Sequence, residues 1–360
     1  SPACTELETR MLEWLRCAMG LPERFAESGP GGGVLQDTAS SAILACMVAA
    51  RDRATDGRSS RDGGTACGGL TAYTSEQAHS SALKAAGICG IGRSNLRLIP
   101  TDRDFRMDVT ALAAAMEQDI ADGLLPCFCS ATVGTTGCGA IDPVEAIGRV
   151  CSEHDVWLHV DAAWAGTAAL SPLLRADIVA GAEHAGSWNF NPHKWMGASF
   201  DCSSLWLADR DPLIASMSID PEYLRNQATE SGEVIDYRDW HIQLGRRFRS
   251  LKLWVLLRMT GVAALAEMVE FHVSLAEIVE QRVVRESHLE LAAPRSLSLL
   301  GICHVDGDAA TQRLIDSVNA DDRFAVTHCI LDDRLVMRVA VGSAATALAD
   351  IEAFCEFIAG

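Results

Sequence analysis

The chain has 360 residues, 49% hydrophobic and 22% charged, which is enough for a large core and, by length, about two domains. A formal net charge of -18 and a pI near 4.9 exclude recognition through a phosphate backbone or an anionic lipid surface, so neither nucleic acid nor membrane is an expected partner and a small molecule is. Thirteen cysteines occur without a CxxC pair or a Cys/His group at zinc spacing. Together with the lack of a long apolar run or a signal-like N-terminus, this reads as a metal-free, cytoplasmic chain in a reducing compartment.

The first residues are already helical in pattern (Leu7, Met11, Leu12, Leu15), and no initiator Met precedes them, so an N-terminal portion is expected to be missing. Gly29 to Gly33 lead into Val34, Leu35 and Gln36, then Thr38, Ala39 and Ser40, then an apolar helical stretch from Ala42 to Ala50. A glycine turn with hydroxyls at a helix start can cradle an anion, although a Ser or Thr there is by itself only an N-cap. Asp56 to Gly69 is polar and Gly-rich and reads as an exposed loop.

From Leu70 short apolar runs alternate with helical patterns. Leu70 to Tyr73, a helix near Glu76 to Ala86, Leu96 to Ile99, a helix from Val109 to Ala121, Leu125 to Thr132, a helix from Pro143 to His154 and a strand from Val156 to Val160 follow in order. Such alternation predicts an α/β fold with a mainly parallel sheet covered by helices on both faces, whose ligands bind beyond the carboxyl ends of the strands. Met217 to Tyr237 breaks the order and reads as a mobile loop. Helices from Arg246 to Met259 and Val262 to Arg285 lead into strand-like runs (Leu299 to Val305, Phe324 to Leu331, Leu335 to Val341). We place a large domain at 1–275 and a small C-terminal α+β domain at 276–360.

Only three of the thirty basic residues are lysines: Lys84, Lys194 and Lys252. A chain that meets nearly all its cationic needs with arginine keeps lysine where arginine cannot serve, and attack by a neutral amine on a carbonyl carbon is such a task. Lys194 sits in the uncharged aromatic run Ser187 to Gly197, which points to Schiff-base chemistry and to pyridoxal 5'-phosphate. That cofactor also needs a carboxylate for its pyridine nitrogen, an anion site and ring-packing groups. Asp161 ends a strand and is followed by Ala162 and Ala163, which give a flat ring a close wall; Thr38, Ala39, Ser40, Ser187 and Asn191 could take the phosphate, and His79 could stack on the ring.

Seven segments carry a family resemblance: Ser1 to Glu8, Gly31 to Ser40, Gln77 to Ser81, Gly134 to Thr136, His159 to Ala163, Asn189 to Trp195 and Gly245 to Lys252. In order and spacing the chain resembles the group II pyridoxal-phosphate-dependent decarboxylases, specifically the aromatic L-amino acid decarboxylase family. The resemblance implies the fold type I, aminotransferase-like architecture and a homodimer that decarboxylates an aromatic L-amino acid to the arylalkylamine. It implies Lys194 as carrier of the internal aldimine that leads to a quinonoid, Asp161 at the pyridinium, His79 stacked on the ring with Ala163 beneath, and Thr136 near the ring substituents. Ala39, Ser40, Asn191 and Ser187 would hold the phosphate, and Tyr223 in the loop would donate the proton. Gly245 lies where histidine-specific relatives carry serine, which favours an indole or catechol ring, and His193 joins it in the substrate pocket. In relatives that make aldehydes with oxygen, the loop tyrosine is typically phenylalanine or the stacking histidine is asparagine, so Tyr223 with His79 argues for simple decarboxylation. Relatives also carry a helical arm before the equivalent of Ser1 that reaches the neighbouring subunit. Without it the chain could instead be a non-catalytic, cofactor-binding homologue serving as a dimer partner.

Overall fold

A computed structural model describes residues 2–63, 68–219 and 235–360. Its strands are β1 (Gly32–Gln36), β2 (Leu70–Ser75), β3 (Leu96–Ile99), β4 (Leu125–Thr132), β5 (Trp157–Asp161), β6 (Ser187–Phe190), β7 (Ser203–Leu207), β8 (Leu289–Leu291), β9 (Leu299–His304), β10 (Thr327–Leu331) and β11 (Arg334–Ala340). The first seven form one sheet in the order β1-β7-β6-β5-β4-β2-β3, and the last four form a second in the order β10-β11-β9-β8. In the large sheet only β7 runs against its neighbours; β3, β2, β4, β5 and β6 are mutually parallel. The small sheet is antiparallel throughout.

Sequence dictates this layering. The central strands are buried on both faces, as strands covered on both sides must be: Phe128, Cys129 and Ala131 of β4, Leu158 and Val160 of β5 and Trp188 and Phe190 of β6 are apolar, and the alternate positions His159 and Asn189 are buried as well. Helices supply the cover. Pro2–Met19 buries Met11, Leu12, Leu15 and Met19 along one stripe, and Ala39–Ala54 presents alanines that let it lie close against the sheet. Trp188, Phe190 and Trp206 fill the core around β6 and β7, with Phe190 stacked on Trp206 at 6.0 Å.

The Val262–Arg285 helix joins the two sheets' cores. Leu265 and Val269 belong to the first core, whereas Leu275, Ala276, Val279 and Val283 pack beneath the small sheet. The division expected at 275/276 therefore falls inside a continuous helix, where its packing partners change.

Several elements differ from expectation. Gly32 and Gly33 lie within β1 rather than in a turn, because β1 pairs with β7, a strand the alternating pattern did not mark. Residues 76–80 form a turn held by Ala78 N–H to the Ser75 carbonyl, so the next helix begins at Ser81. A short helix, Arg58–Asp62, occupies part of the run read as loop. Tyr223 and most of the 217–237 segment lie outside the described residues.

Candidate active site

The carboxyl ends of β4, β5 and β6 and the start of the Ala39–Ala54 helix enclose a cavity of about 380 Å³, within the usual range for small-ligand sites. Asp161 is its floor. As the last residue of β5 it lies level with Thr132 of β4 and Asn189 of β6, at the middle of the sheet. It is buried, and its Oδ1 accepts the Ala163 N–H at 3.0 Å, which turns the small Ala162-Ala163 pair along the wall.

Beyond Phe190 the chain leaves the sheet. The Asn191 N–H donates to the Ala163 carbonyl at 3.0 Å, and Pro192 cannot prolong a strand. A tight turn follows, with Lys194 N–H to Asn191 O at 2.9 Å, Ala198 N–H to Pro192 O at 2.9 Å, and Gly197 at φ +82°, a conformation that favours glycine. This turn aims Lys194 into the cavity. The side chain meets water there, yet enough protein surrounds it that burial lowers its ammonium pKa; the Asp161 charge partly opposes this and Arg338 adds to it. The shift favours the free amine that nucleophilic attack requires. Among the described residues no acidic oxygen lies within 4.0 Å of the Lys194 Nζ, so amine and Asp161 face the same space without neutralising one another.

The opposite wall suits an anion. Thr38 caps the Ala39–Ala54 helix with its Oγ1 accepting the Ser41 N–H, and the Thr38 carbonyl takes the Ala42 N–H. The amides of Ala39 and Ser40, first in the helix, have no protein acceptor among the described residues and border the cavity. Asn191 joins them. Its Oδ1 is buried without a hydrogen-bond partner, and a carboxamide that rotates by half a turn presents two N–H donors from the same volume.

Two histidines complete the lining, each with a defined tautomer. His79 Nδ1 accepts the Ser81 N–H at 3.2 Å, and His193 Nδ1 accepts the Cys202 N–H at 2.9 Å, so in each ring Nε2 carries the N–H. Burial lowers the His193 pKa, which keeps that ring neutral. Thr136 lies in a loop closed by Gly134 and Thr135 N–H donation to the Ala140 carbonyl. Gly134 has φ +89°, and an added Cβ would lie 2.6 Å from the Ala165 Cβ.

Arg338 escaped the sequence reading. It projects from β11 of the small sheet, lines the cavity, and donates from Nε to the Thr136 carbonyl at 2.6 Å. Nothing in a strand pattern distinguishes one arginine among twenty-seven; only the packing of the small sheet against the Thr136 loop brings it here. Trp164 also lines the wall, stacked on Trp195.

Two expected residues are elsewhere. Ser187 opens β6 at the far end of the strand, fully buried, with its Oγ bonded to Trp157 Nε1 (2.9 Å) and His159 Nδ1 (2.8 Å), so it does not reach the anion wall. Gly245 is exposed, outside the lining, with open space around its Cα.

An amine facing a carboxylate at the end of a central parallel strand, beside a helix N-terminus with free amides, defines an enzyme that works through a phosphorylated carbonyl cofactor. The comparisons make this specific. The pyridoxal-dependent decarboxylase conserved domain matches residues 1–303. The chain is 42% identical over 364 residues to the aromatic-L-amino-acid decarboxylase of Bos taurus, covering 99% of this chain and 74% of that one. It is 40% identical over 355 residues to the phenylacetaldehyde synthase of Arabidopsis thaliana, covering 96% and 71%. The crystal structure of Oryza sativa TDC with PLP and tryptamine superposes with a TM-score of 0.95 at 38% identity, covering 99% of this chain and 76% of that one. The chain belongs to the pyridoxal-dependent decarboxylase family: it is a carboxy-lyase and its cofactor is pyridoxal 5'-phosphate.

Proposed function

We propose that the chain decarboxylates an aromatic L-amino acid to the corresponding arylalkylamine and carbon dioxide. The observation that carries this is the single cavity that Lys194, Arg338 and Asp161 line together. The aromatic class is supported by the relatives' activities.

When bound, the cofactor supplies a protonated pyridine ring that accepts the electron pair left on the α carbon as carbon dioxide departs. Asp161, a buried carboxylate at the sheet end, would hold the pyridine nitrogen protonated. Lys194, whose Nζ borders the cavity with its pKa lowered by burial, would be the amine that holds the cofactor's carbonyl end. Ala39 and Ser40 amides with the Asn191 carboxamide hold the phosphate at the helix N-terminus. His79, Ala163 and Thr136 line the same cavity and would pack against the cofactor's ring. Arg338 and the Nε2–H of His193 are the donors available to the substrate carboxylate, placing it away from the phosphate wall. Tyr223 is our proton donor to the α carbon; this role rests on the sequence alone.

We place the working form as a homodimer in a reducing, cytoplasmic setting. Leu251, Trp254, Val255 and Met259 recur at i, i+3, i+4 and i+8 on the Arg249–Thr260 helix and are exposed, as is Trp14; an exposed apolar helix face of this kind supports a partner subunit. The twelve described cysteines are free.

The test is amine release by the holoenzyme from tryptophan, dopa, tyrosine, phenylalanine and histidine, with peroxide and ammonia followed in parallel. Turnover of an aromatic substrate with stoichiometric amine is expected. Faster turnover of histidine than of every aromatic, or peroxide matching carbon dioxide, would overturn the reading.

A further inference from the structure

Behind the cavity wall, three aromatic rings lie nearly parallel in a row. Trp164, which lines the cavity, stacks on Trp195 at 5.0 Å and 12°, and His272 lies edge to edge with Trp195, its centroid 6.3 Å away and its plane within 16°. Hydrogen bonds give the row a direction: Trp195 Nε1–H donates to His272 Nδ1 at 2.9 Å, and His272 Nε2 lies 3.1 Å from the Ser343 carbonyl. An indole N–H can only donate and a carbonyl can only accept, so His272 is fixed as the neutral Nε2–H tautomer with both nitrogens used. The ring is 1% exposed, and no charged group contributes to its titration, which burial alone drives downward.

His272 stands on the Val262–Arg285 helix at the point where it passes from one core to the other. Its two partners belong to different parts of the site. Trp195 follows Lys194 directly, whereas Ser343 lies just beyond β11, the strand that delivers Arg338 to the Thr136 carbonyl. A hydrophobic residue at 272 would fill the core equally well; a residue with one acceptor and one donor on opposite edges joins two segments.

We propose that His272 is a positioning residue for decarboxylation. Its ring ties the turn carrying Lys194 to the strand carrying Arg338, so that the group holding the substrate carboxylate and the amine that takes the cofactor keep a fixed separation. This rests on the function proposed above, in which Arg338 meets the carboxylate.

The test compares holoenzyme with His272→Leu, His272→Asn and Trp195→Phe. Asn at 272 places an acceptor where Nδ1 stood but cannot reach Ser343; Phe at 195 keeps the ring and removes its N–H. The readouts are cofactor absorbance, circular dichroism in the cofactor band, and kcat and KM for one aromatic amino acid. His272→Leu is expected to keep cofactor bound, alter the dichroism, and lower kcat/KM by about 10- to 100-fold, the scale of a sub-ångström to one-ångström misplacement. His272→Asn recovers part of that loss, and Trp195→Phe added to His272→Leu adds little, because both cut one link. Parental dichroism, kcat and KM in His272→Leu overturn the inference. So does a loss confined to cofactor content or thermal stability, with turnover per bound cofactor unchanged in all three variants. Should His272→Leu not fold, the same readouts on the other two variants decide. Absence of turnover in the parent enzyme would instead sink the functional reading.

Discussion

Asp142 is a buried acid whose replacement should change how stability depends on pH. Its carboxylate accepts the Thr132 N–H at 2.7 Å and the Met107 N–H at 2.8 Å, pinning the loop that carries Gly134, Thr135 and Thr136 to the end of β4. Burial nevertheless dominates, raising its pKa from 3.8 to about 6. The folded state therefore binds the proton more tightly than the unfolded chain, and Asp142 favours folding at low pH and ceases to do so as pH rises through about 4 to 6. With those two pKa values, linkage gives on the order of 1 kcal/mol of stabilisation from this group near pH 5 and almost none near pH 7.5. In Asp142→Asn the titration disappears, while one backbone N–H loses its acceptor and meets an NH2 group, costing about 1 to 3 kcal/mol. The stability gap between parent and Asp142→Asn, read from urea unfolding at both pH values, should then be wider near pH 5 by on the order of 1 kcal/mol. A gap that stays constant, or widens toward pH 7.5, would refute the argument, since the latter requires a carboxylate stabilised by its two N–H donors beyond its burial penalty.

Other outcomes follow from the same contacts. Lys194→Ala should abolish the borohydride-stable cofactor adduct that parent enzyme gives, as a digest and mass spectrum would show; an adduct at Lys84 or Lys252 instead would move the chemistry. Arg338→Met removes a charge-assisted donor and should raise KM by roughly 10- to 100-fold with cofactor affinity little changed. Asn191→Leu should weaken cofactor binding roughly 5-fold, the value of one hydrogen bond, measured by titration of the absorbance. Arg246→Ala leaves buried Glu8, otherwise paired with Arg246 and the Leu35 N–H, without its cation and should destabilise the fold by about 3 to 5 kcal/mol in denaturant unfolding.

What could be read from the sequence was local. Lys194 and Asp161 lie in short segments whose composition answers to nearby chemistry: a lysine in an arginine-using chain, and an acid ending an apolar strand before two alanines. Thr38, Ala39 and Ser40 were equally visible because a helix N-terminus organises its own amides. Ser187 was misplaced for a geometric reason. It shares a segment with Asn191, but four residues of extended chain separate their positions by about 13 Å, so only one of the two can reach the cavity. A strand's beginning and end look alike until its direction in the sheet is known. Similarly, β1 was read as a glycine turn, since its pairing with β7 depends on a return of the chain after residue 200 that no local pattern announces. Arg338 is the extreme case, a strand residue of the other sheet whose role exists only through its contact with the Thr136 loop.

The acidity of the chain and the negative charge of what it binds are compatible once distance is considered. A net charge of -18 describes the whole surface. In physiological salt exposed charges are screened beyond about 8 Å, so the bulk field hardly enters a cavity walled by buried backbone. Inside, the terms are the Ala39 and Ser40 amides and the Arg338 guanidinium, set against the single carboxylate of Asp161, with His79 and His193 as donors. The lining is thus locally electropositive, and the carboxylate that interrupts it sits where a pyridine nitrogen needs it. Surface charge excludes polyanions that must spread over many contacts; a small phosphate or carboxylate meets only the few groups within reach.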